Sequence, residues 1–209
     1  MKNCFFFIFI LLSILSFGQN NIKAYYQYKT SFPKTSLGRE GVSVIYELNQ
    51  KDNEANFSIK KGDRFYNEQF TYLDLENERF EDAQVYKGEW YNVQSKFNEV
   101  KWEESSDTKL INGCESKLVT YHEGDFKRLE VWYCPSETKF SPFFRDYQFH
   151  QLPGYVVQLK IFFNNKAGQI TEYNLLEYKE NKSSNIVKPD KGIILTQEEA
   201  KQKFKLSFN

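Results

Sequence analysis

Tyr155–Phe163 alternates as a half-buried strand must. Tyr155, Val157, Leu159, Ile161 and Phe163 fall on one face, Gln158 and Lys160 on the other. A repeat of two argues against a helix here and asks for a sheet with at least one covered face. Similar runs, with aromatics on both faces, recur along the chain. They read as strands over Ile22–Phe32, Val42–Leu48, Glu54–Lys60, Arg64–Leu75, Arg79–Tyr86, Glu89–Gln94, Lys109–Tyr121, Phe126–Tyr133 and Ile170–Lys179. A further short strand is expected around Trp102, closed by Ser105-Ser106-Asp107. Turns are expected at Asn49–Asn53, Gly62-Asp63, Lys87-Gly88, Glu123-Gly124-Asp125 and Asn164–Gly168. The 20 Phe, 14 Tyr and 3 Trp supply aromatic surface that a disordered chain would lack.

One helix is legible. Thr196-Gln197-Glu198-Glu199 is a capping box, in which the threonine hydroxyl accepts from the Glu199 N–H and the Glu199 carboxylate reaches back. The expected fold is therefore mainly β: a single curved antiparallel sheet, an open or half barrel, with a short C-terminal helix. A two-sheet β-sandwich is the alternative.

The N-terminus predicts export. Lys2 precedes Phe5–Phe17, apolar but for Ser13 and Ser16 and shorter than the ~20 residues a membrane span needs. Ser16 and Gly18 stand three and one before a cut at Gln19. The expected organisation is a signal peptide over 1–18 and one domain over 19–209, periplasmic or secreted, without a transmembrane segment in the mature chain. Cys4 lies ahead of the apolar run, not just behind it where a lipid-modified cysteine would sit. The 28 basic and 28 acidic residues balance, so charge offers no case for a nucleic-acid partner.

Cys114 and Cys134 then remain. An even count in an exported chain favours a disulfide. A reactive thiol is the other reading, with His122 or His150 as base. The two cysteines are symmetric about Gly124 and face each other if the hairpin turn is centred there. A two-residue turn at Glu123-Gly124 would instead set Cys114 opposite Tyr133, and a longer loop or a bulge would then be needed.

No residue set carries a recognisable chemistry. His122-Glu123-Gly124-Asp125 groups an imidazole with carboxylates but lacks a second histidine at ligand spacing. The acidic stretch Asp74–Asp82 lacks calcium-loop spacing. Glu89-Trp90-Tyr91 and Arg64-Phe65-Tyr66 could present aromatics to a ligand, though strand aromatics more often pack the core. No phosphate loop, nucleophile elbow or zincin motif occurs. No catalytic residue, metal or cofactor is expected.

Lys109, Ile111, Gly113 and Cys114, then Arg128, Val131, Trp132 and Tyr133, then Pro142 with Phe143 or Phe144, and finally Gln151-Leu152-Pro153-Gly154-Tyr155-Val156 occur in an order that resembles the GLPGLI family. Those are secreted proteins of unknown function from Bacteroidetes-type Gram-negative bacteria. Leu152, Pro153 and Gly154 keep the centre of the naming motif; Gln151 and Tyr155-Val156 depart from it. The resemblance implies a cell-envelope protein and brings no catalytic residues. Physically, Leu152-Pro153-Gly154 reads as a type II turn, with proline at the second position and glycine at positive φ. The expected function is non-enzymatic binding of a hydrophobic or peptide ligand. The alternative is an interaction or assembly module for an outer-membrane protein partner, without a small-molecule pocket.

Overall fold

The structure is a computed structural model that describes residues 21–34, 40–61, 70–97, 99–142, 149–180 and 186–204. The expected signal peptide, the Gly62-Asp63 turn, Arg64-Phe65-Tyr66, Phe143 and Phe144 lie outside the described residues.

The strands are β1 (Asn21–Ser31), β2 (Glu40–Lys51), β3 (Glu54–Lys61), β4 (Phe70–Asp74), β5 (Arg79–Tyr86), β6 (Glu89–Lys96), β7 (Glu103–Ile111), β8 (Cys114–Glu123), β9 (Phe126–Pro135), β10 (Gly154–Phe162), β11 (Ile170–Glu180) and β12 (Ile193–Thr196). All join one sheet in the order β12-β6-β5-β4-β3-β2-β1-β11-β10-β9-β8-β7. It is curved and open, as expected, and the two-sheet sandwich does not form. Among the described residues only β12 runs parallel to its neighbour, β6. The helix α1 (Gln197–Phe204) starts at the expected box: Glu199 N donates to Thr196 Oγ1 at 3.3 Å, and Thr196 N to Glu199 Oε2 at 2.8 Å.

Three strand expectations need correction. The run Lys109–Tyr121 is not one strand, because Asn112-Gly113 turns it back on itself between Ile111 and Cys114. Both turn residues have positive φ, 51° and 80°. This is the Asn-Gly hairpin signal, hidden in the sequence because the flanking polarity runs on unbroken. Ser105-Ser106-Asp107 does not end a strand. β7 passes through it, with the pairing slipping between Glu104 and Thr108, while Trp102 precedes the strand. Within β10 a bulge between Val156 and Gln158 reverses the alternation, so Val156 and Val157 are both buried and Tyr155 is half-buried.

The main core lies on the sheet face carrying Ile22, Ala24 and Tyr26 of β1, Leu48 of β2, Phe57 of β3 and Tyr173 of β11. Phe140, Phe149 and Leu152, between β9 and β10, belong to the same cluster, with Phe97 and Trp102 packed against it. Phe140 stacks on Tyr155 at 4.9 Å and meets Tyr178 at 5.1 Å. It sits where β10 and β11 no longer pair, since their register ends at Gln158–Asn174. There the backbone finds other partners, as buried amides must. Val156 N donates to Phe140 O at 2.9 Å, and the Tyr26 hydroxyl donates to Val156 O at 2.7 Å.

Burial pushes the Tyr26 phenol well above its usual pKa, so it remains a donor through the working pH range. Tyr26→Phe should orphan the Val156 carbonyl and cost about 1–3 kcal/mol in a denaturant melt. An unchanged melt would mean that another donor takes the hydroxyl's place.

Residues 187–191 cover the other face of β3–β6. Asn56 Nδ2 donates to Val187 O at 2.6 Å, and its Oδ1 accepts from Val187 N. Asn92 Nδ2 donates to Lys191 O at 3.0 Å. The two amides thus hold 187–191 across the strands, and β12 then adds to β6. Helix α1 closes a smaller core of Tyr91, Leu195, Ala200 and Phe204. Covering on both faces explains why aromatics occur at both strand parities: Phe57 and Tyr72 are each buried, on opposite faces.

Candidate functional site

At the Tyr28 end of the core face the covering stops and a cleft of about 320 Å³ opens. β1 supplies Tyr28 and Thr30, with Phe32 just beyond it; β2 supplies Gly41, Val42, Val44 and Tyr46; β3 supplies Ile59, and Gln169 precedes β11. The ladder aligns them, since Tyr28 pairs with Val44 and Tyr46 with Ile59 across the strands. Residues directly opposite in a ladder share a face. Val44 is buried at the floor and Val42 is 57% exposed.

The floor continues into a chain of rings. Tyr28 and Tyr173 lie 5.2 Å apart, Tyr28 and Tyr46 5.8 Å, and Tyr46 stacks on Phe57 at 4.6 Å. The polar side-chain groups here are hydroxyls and the Gln169 amide. Thr30 Oγ1 donates to the Tyr28 hydroxyl at 2.7 Å. Burial, with the adjoining Tyr46 and Tyr28, pushes the Tyr173 phenol well above its ordinary range. The opposite face of β1–β3 is ionic instead: Lys23 and Lys60 bridge to Glu47 at 3.1 and 3.2 Å. Burial works against charge on Glu47, but Asn49, Lys23 and Lys60 outweigh it and hold the carboxyl below its usual range. Such a cleft can hold an apolar group by contact and desolvation.

A larger trough of about 790 Å³ is lined by Lys51, Asp52, Asn53, Glu54, Asp74, Glu76, Asn77, Ile186 and Lys188. Its main charges already have partners. Glu54 takes Lys188 and the Tyr72 hydroxyl. Asp74 accepts from Asn77 N at 3.0 Å and closes the β4–β5 turn. The expected acidic stretch is thus a turn organised by Asp74 and the start of β5, where Glu81 pairs with Arg79 and Asp82 accepts from Thr71.

The other sequence candidates are placed as follows. His122 Nδ1 lies 3.1 Å from Glu103 Oε1 across the strands. His150 sits against the Phe97 ring at 5.3 Å, and burial lowers its pKa. Trp90 lies under Lys191, 4.4 Å from the ring centre, and Tyr91 packs on Phe204. The residues that carry the family resemblance build scaffold rather than cleft. Lys109 lies over the Trp132 ring at 5.8 Å, Arg128 donates to Phe162 O at 2.7 Å, and Pro142 is fully buried.

Cys114 and Cys134 form a disulfide, Cα atoms 6.0 Å apart. The expected directly opposed pairing is corrected. The hairpin turn is Gly124-Asp125, closed by Glu123 and Phe126, with a bulge between Tyr121 and His122. The ladder then sets Lys117 against Tyr133, and continuing it would put Cys134 against Ser116. The bridge is therefore diagonal, reaching Cys114 after β8 has left β9.

Leu152-Pro153-Gly154 is also corrected in one respect. Gly154 is not among the positive-φ glycines, so no type II turn requires it. It opens β10 opposite Pro135, and a Cβ there would stand 2.8 Å from the Cys134 carbonyl carbon and closer still to its oxygen. Close backbone approach, not turn geometry, demands the glycine. Leu152 is core, and the Pro153 carbonyl accepts from Ser136 N at 3.2 Å.

The cleft residues carry no mark of their own in the sequence. The available signal is that Tyr26 and Tyr28 share a strand parity and Tyr46 faces them, which needs the register to be seen.

No family model matches the chain, and no curated protein matches it in sequence. Solved structures do. PNGF-II, in its P21 crystal form, is 14% identical with a TM-score of 0.58 over 88% of this chain. This chain spans 33% of that one. An uncharacterised conserved protein from Thermus thermophilus is 8% identical with a TM-score of 0.48, covering 91% of this chain and 98% of that one. A LolA superfamily protein from Nitrosomonas europaea is 10% identical with a TM-score of 0.38, covering 80% and 89%. At this identity the likeness to PNGF-II shows a shared fold alone.

Proposed function

We propose that the protein is an exported, non-enzymatic binding protein of the cell envelope. It holds a hydrophobic or peptide ligand in the cleft over Tyr28, Val44 and Tyr46. The observation that carries this reading is the 320 Å³ apolar opening into an aromatic floor. That volume lies at the small end of ligand sites, about 300–1,000 Å³. The disulfide fits an oxidising compartment, as does the apolar N-terminal segment read as a signal peptide. Among the described residues no helix is long and apolar enough to cross a membrane. The second reading, an assembly module, draws on exposed Val187, Ile193 and Ile194 along the C-terminal segment.

Titration with the neutral dye N-phenyl-1-naphthylamine should give saturable fluorescence enhancement. Val44→Trp fills the floor and should weaken dye binding about tenfold or more, a loss of roughly 1.4 kcal/mol. Val42→Trp, at the exposed mouth, should do the same without disturbing the melt. Unchanged dye affinity in both folded variants would refute the cleft and favour the assembly reading.

A further inference from the structure

We infer that the outer face of β3–β6, away from the cleft, binds an extended peptide through its main chain, and that residues 187–191 occupy this site in cis as a displaceable stand-in. Asn56 pairs with Tyr72, Tyr72 with Glu81 and Glu81 with Gln94, so these side chains share that face. Asn92, two residues from Gln94, shares it too. Asn56 and Asn92 are buried, at 5% and 3% exposure. Asn56 meets both backbone groups of Val187, donating to its carbonyl and accepting from its N–H. A neighbouring strand would offer the same two bonds. Four extended residues span about 13 Å and three strand spacings about 14 Å, so one extended stretch reaches from Asn56 to Asn92. The side chains so held turn away: Val187 is 55% exposed, and Lys188, Asp190 and Lys191 are exposed as well. The two amides therefore read backbone.

The chain's own segment fills this site imperfectly. Asn92 Nδ2 donates to Lys191 O at 3.0 Å, but its Oδ1 is buried without a hydrogen-bond partner. Both ends of the amide are used at Asn56 and only one at Asn92. A buried acceptor without a donor costs free energy, so a segment that sets an N–H there binds better than the one in place. The cis segment is also separately anchored. It turns onto β6 at Gly192, which has φ +108° and where an added Cβ would stand 2.7 Å from Trp90 O. Beyond that turn, Leu195, Ala200 and Phe204 close on Tyr91 in a core distinct from the main one. An element with a small core of its own opens at lower cost than the sheet that carries it. Charge sets the kind of peptide. Lys188 bridges to Glu54, and the trough beside it adds Asp52, Asp74 and Glu76 against Lys51. The face fits an extended peptide with a basic residue one place after the residue that Asn56 holds.

The probe is a fluorescein-labelled peptide of the chain's own residues 186–192, titrated with the full-length protein and read by anisotropy. Gly192→Ala strains the turn that seats the segment in cis, and Phe204→Ala loosens its anchor; both leave Asn56 and Asn92 in place. Each variant should bind the peptide about tenfold or more tighter than the wild type, in which the tethered segment competes at a millimolar effective concentration. Hydrogen exchange should quicken over 187–196 and stay unchanged in β1 and β11, which reports that the sheet remains folded. Adding Asn56→Leu should weaken peptide binding about tenfold. A peptide carrying Lys188→Glu should bind about two- to fivefold more weakly, the span of an exposed ion pair. Absence of binding to both released variants overturns the site, as does binding that Asn56→Leu leaves undiminished. Unchanged exchange over 187–196 in both variants shows that the segment is not displaceable and overturns the inference as well. A released protein that dimerises in light scattering and takes up no peptide assigns the face to a second copy's segment and overturns the peptide reading.

Discussion

Gly154→Ala is expected to destabilise the protein by about 3 kcal/mol, at the upper end of overpacking costs. The melting temperature should fall by roughly 10 °C for a domain of this size. The added methyl points at the Cys134 carbonyl, with the Pro135 Cα 3.0 Å away. These are backbone atoms of β9, fixed by the ladder in which Gly154 pairs with Pro135 and Tyr155 with Cys134. A flexible side chain could swing aside, but a paired strand cannot without breaking its register. Gly124→Ala is the control. Gly124 has φ +62° and open space around it, so the same methyl should cost only about 1 kcal/mol. Parallel thermal melts of the two variants decide the matter. Equal losses would show that β9 yields to the added methyl and that close approach does not set the demand at Gly154.

Loss of the Cys114–Cys134 bridge should cost about 3 kcal/mol in the chain-entropy model, given a sequence separation of 20. The bridge acts where hydrogen bonding between β8 and β9 has stopped, so nothing in that ladder replaces it. It holds the β7–β8 turn, whose Asn112 Nδ2 donates to Leu175 O at 2.7 Å. Cys134 lies against Gly154, so the two sites share one piece of backbone. The Cys114→Ala/Cys134→Ala double variant should therefore melt lower than the oxidised wild type. It should also exchange the Asn112–Glu115 amides faster. Wild-type protein under reductant should match the double variant. A melt insensitive to both treatments would show that the bridge stabilises little. Gly154→Ala combined with the double variant should fall short of additive, because contacting sites couple.

Strands were legible wherever side-chain polarity alternated within one segment, because the period of two is a local property of the pleat. The capping box at Thr196–Glu199 was legible for the same reason, since its bonds span three residues. The Asn112-Gly113 turn is equally local and was hidden only because residues on either side continue the pattern. The β12 strand was not legible: Ile193–Thr196 is four residues, and it becomes a strand because β6 offers an edge.

The sequence by itself determined the β class, most turns, the helix and the pairing of Cys114 with Cys134, since each depends on neighbours in the chain or on a count. Tertiary structure alone decided the register that makes the disulfide diagonal, because a bulge between Tyr121 and His122 shifts every later pair. It alone assigned Gly154 its role, since the carbonyl that excludes a side chain belongs to β9. It alone made the cleft. Tyr28, Val44 and Ile59 come from three strands and meet only after β1, β2 and β3 align, and the opening exists because the segment bearing Phe140 covers the opposite end of the same face. A cavity is a property of what fails to be filled, and no local pattern of side chains encodes that.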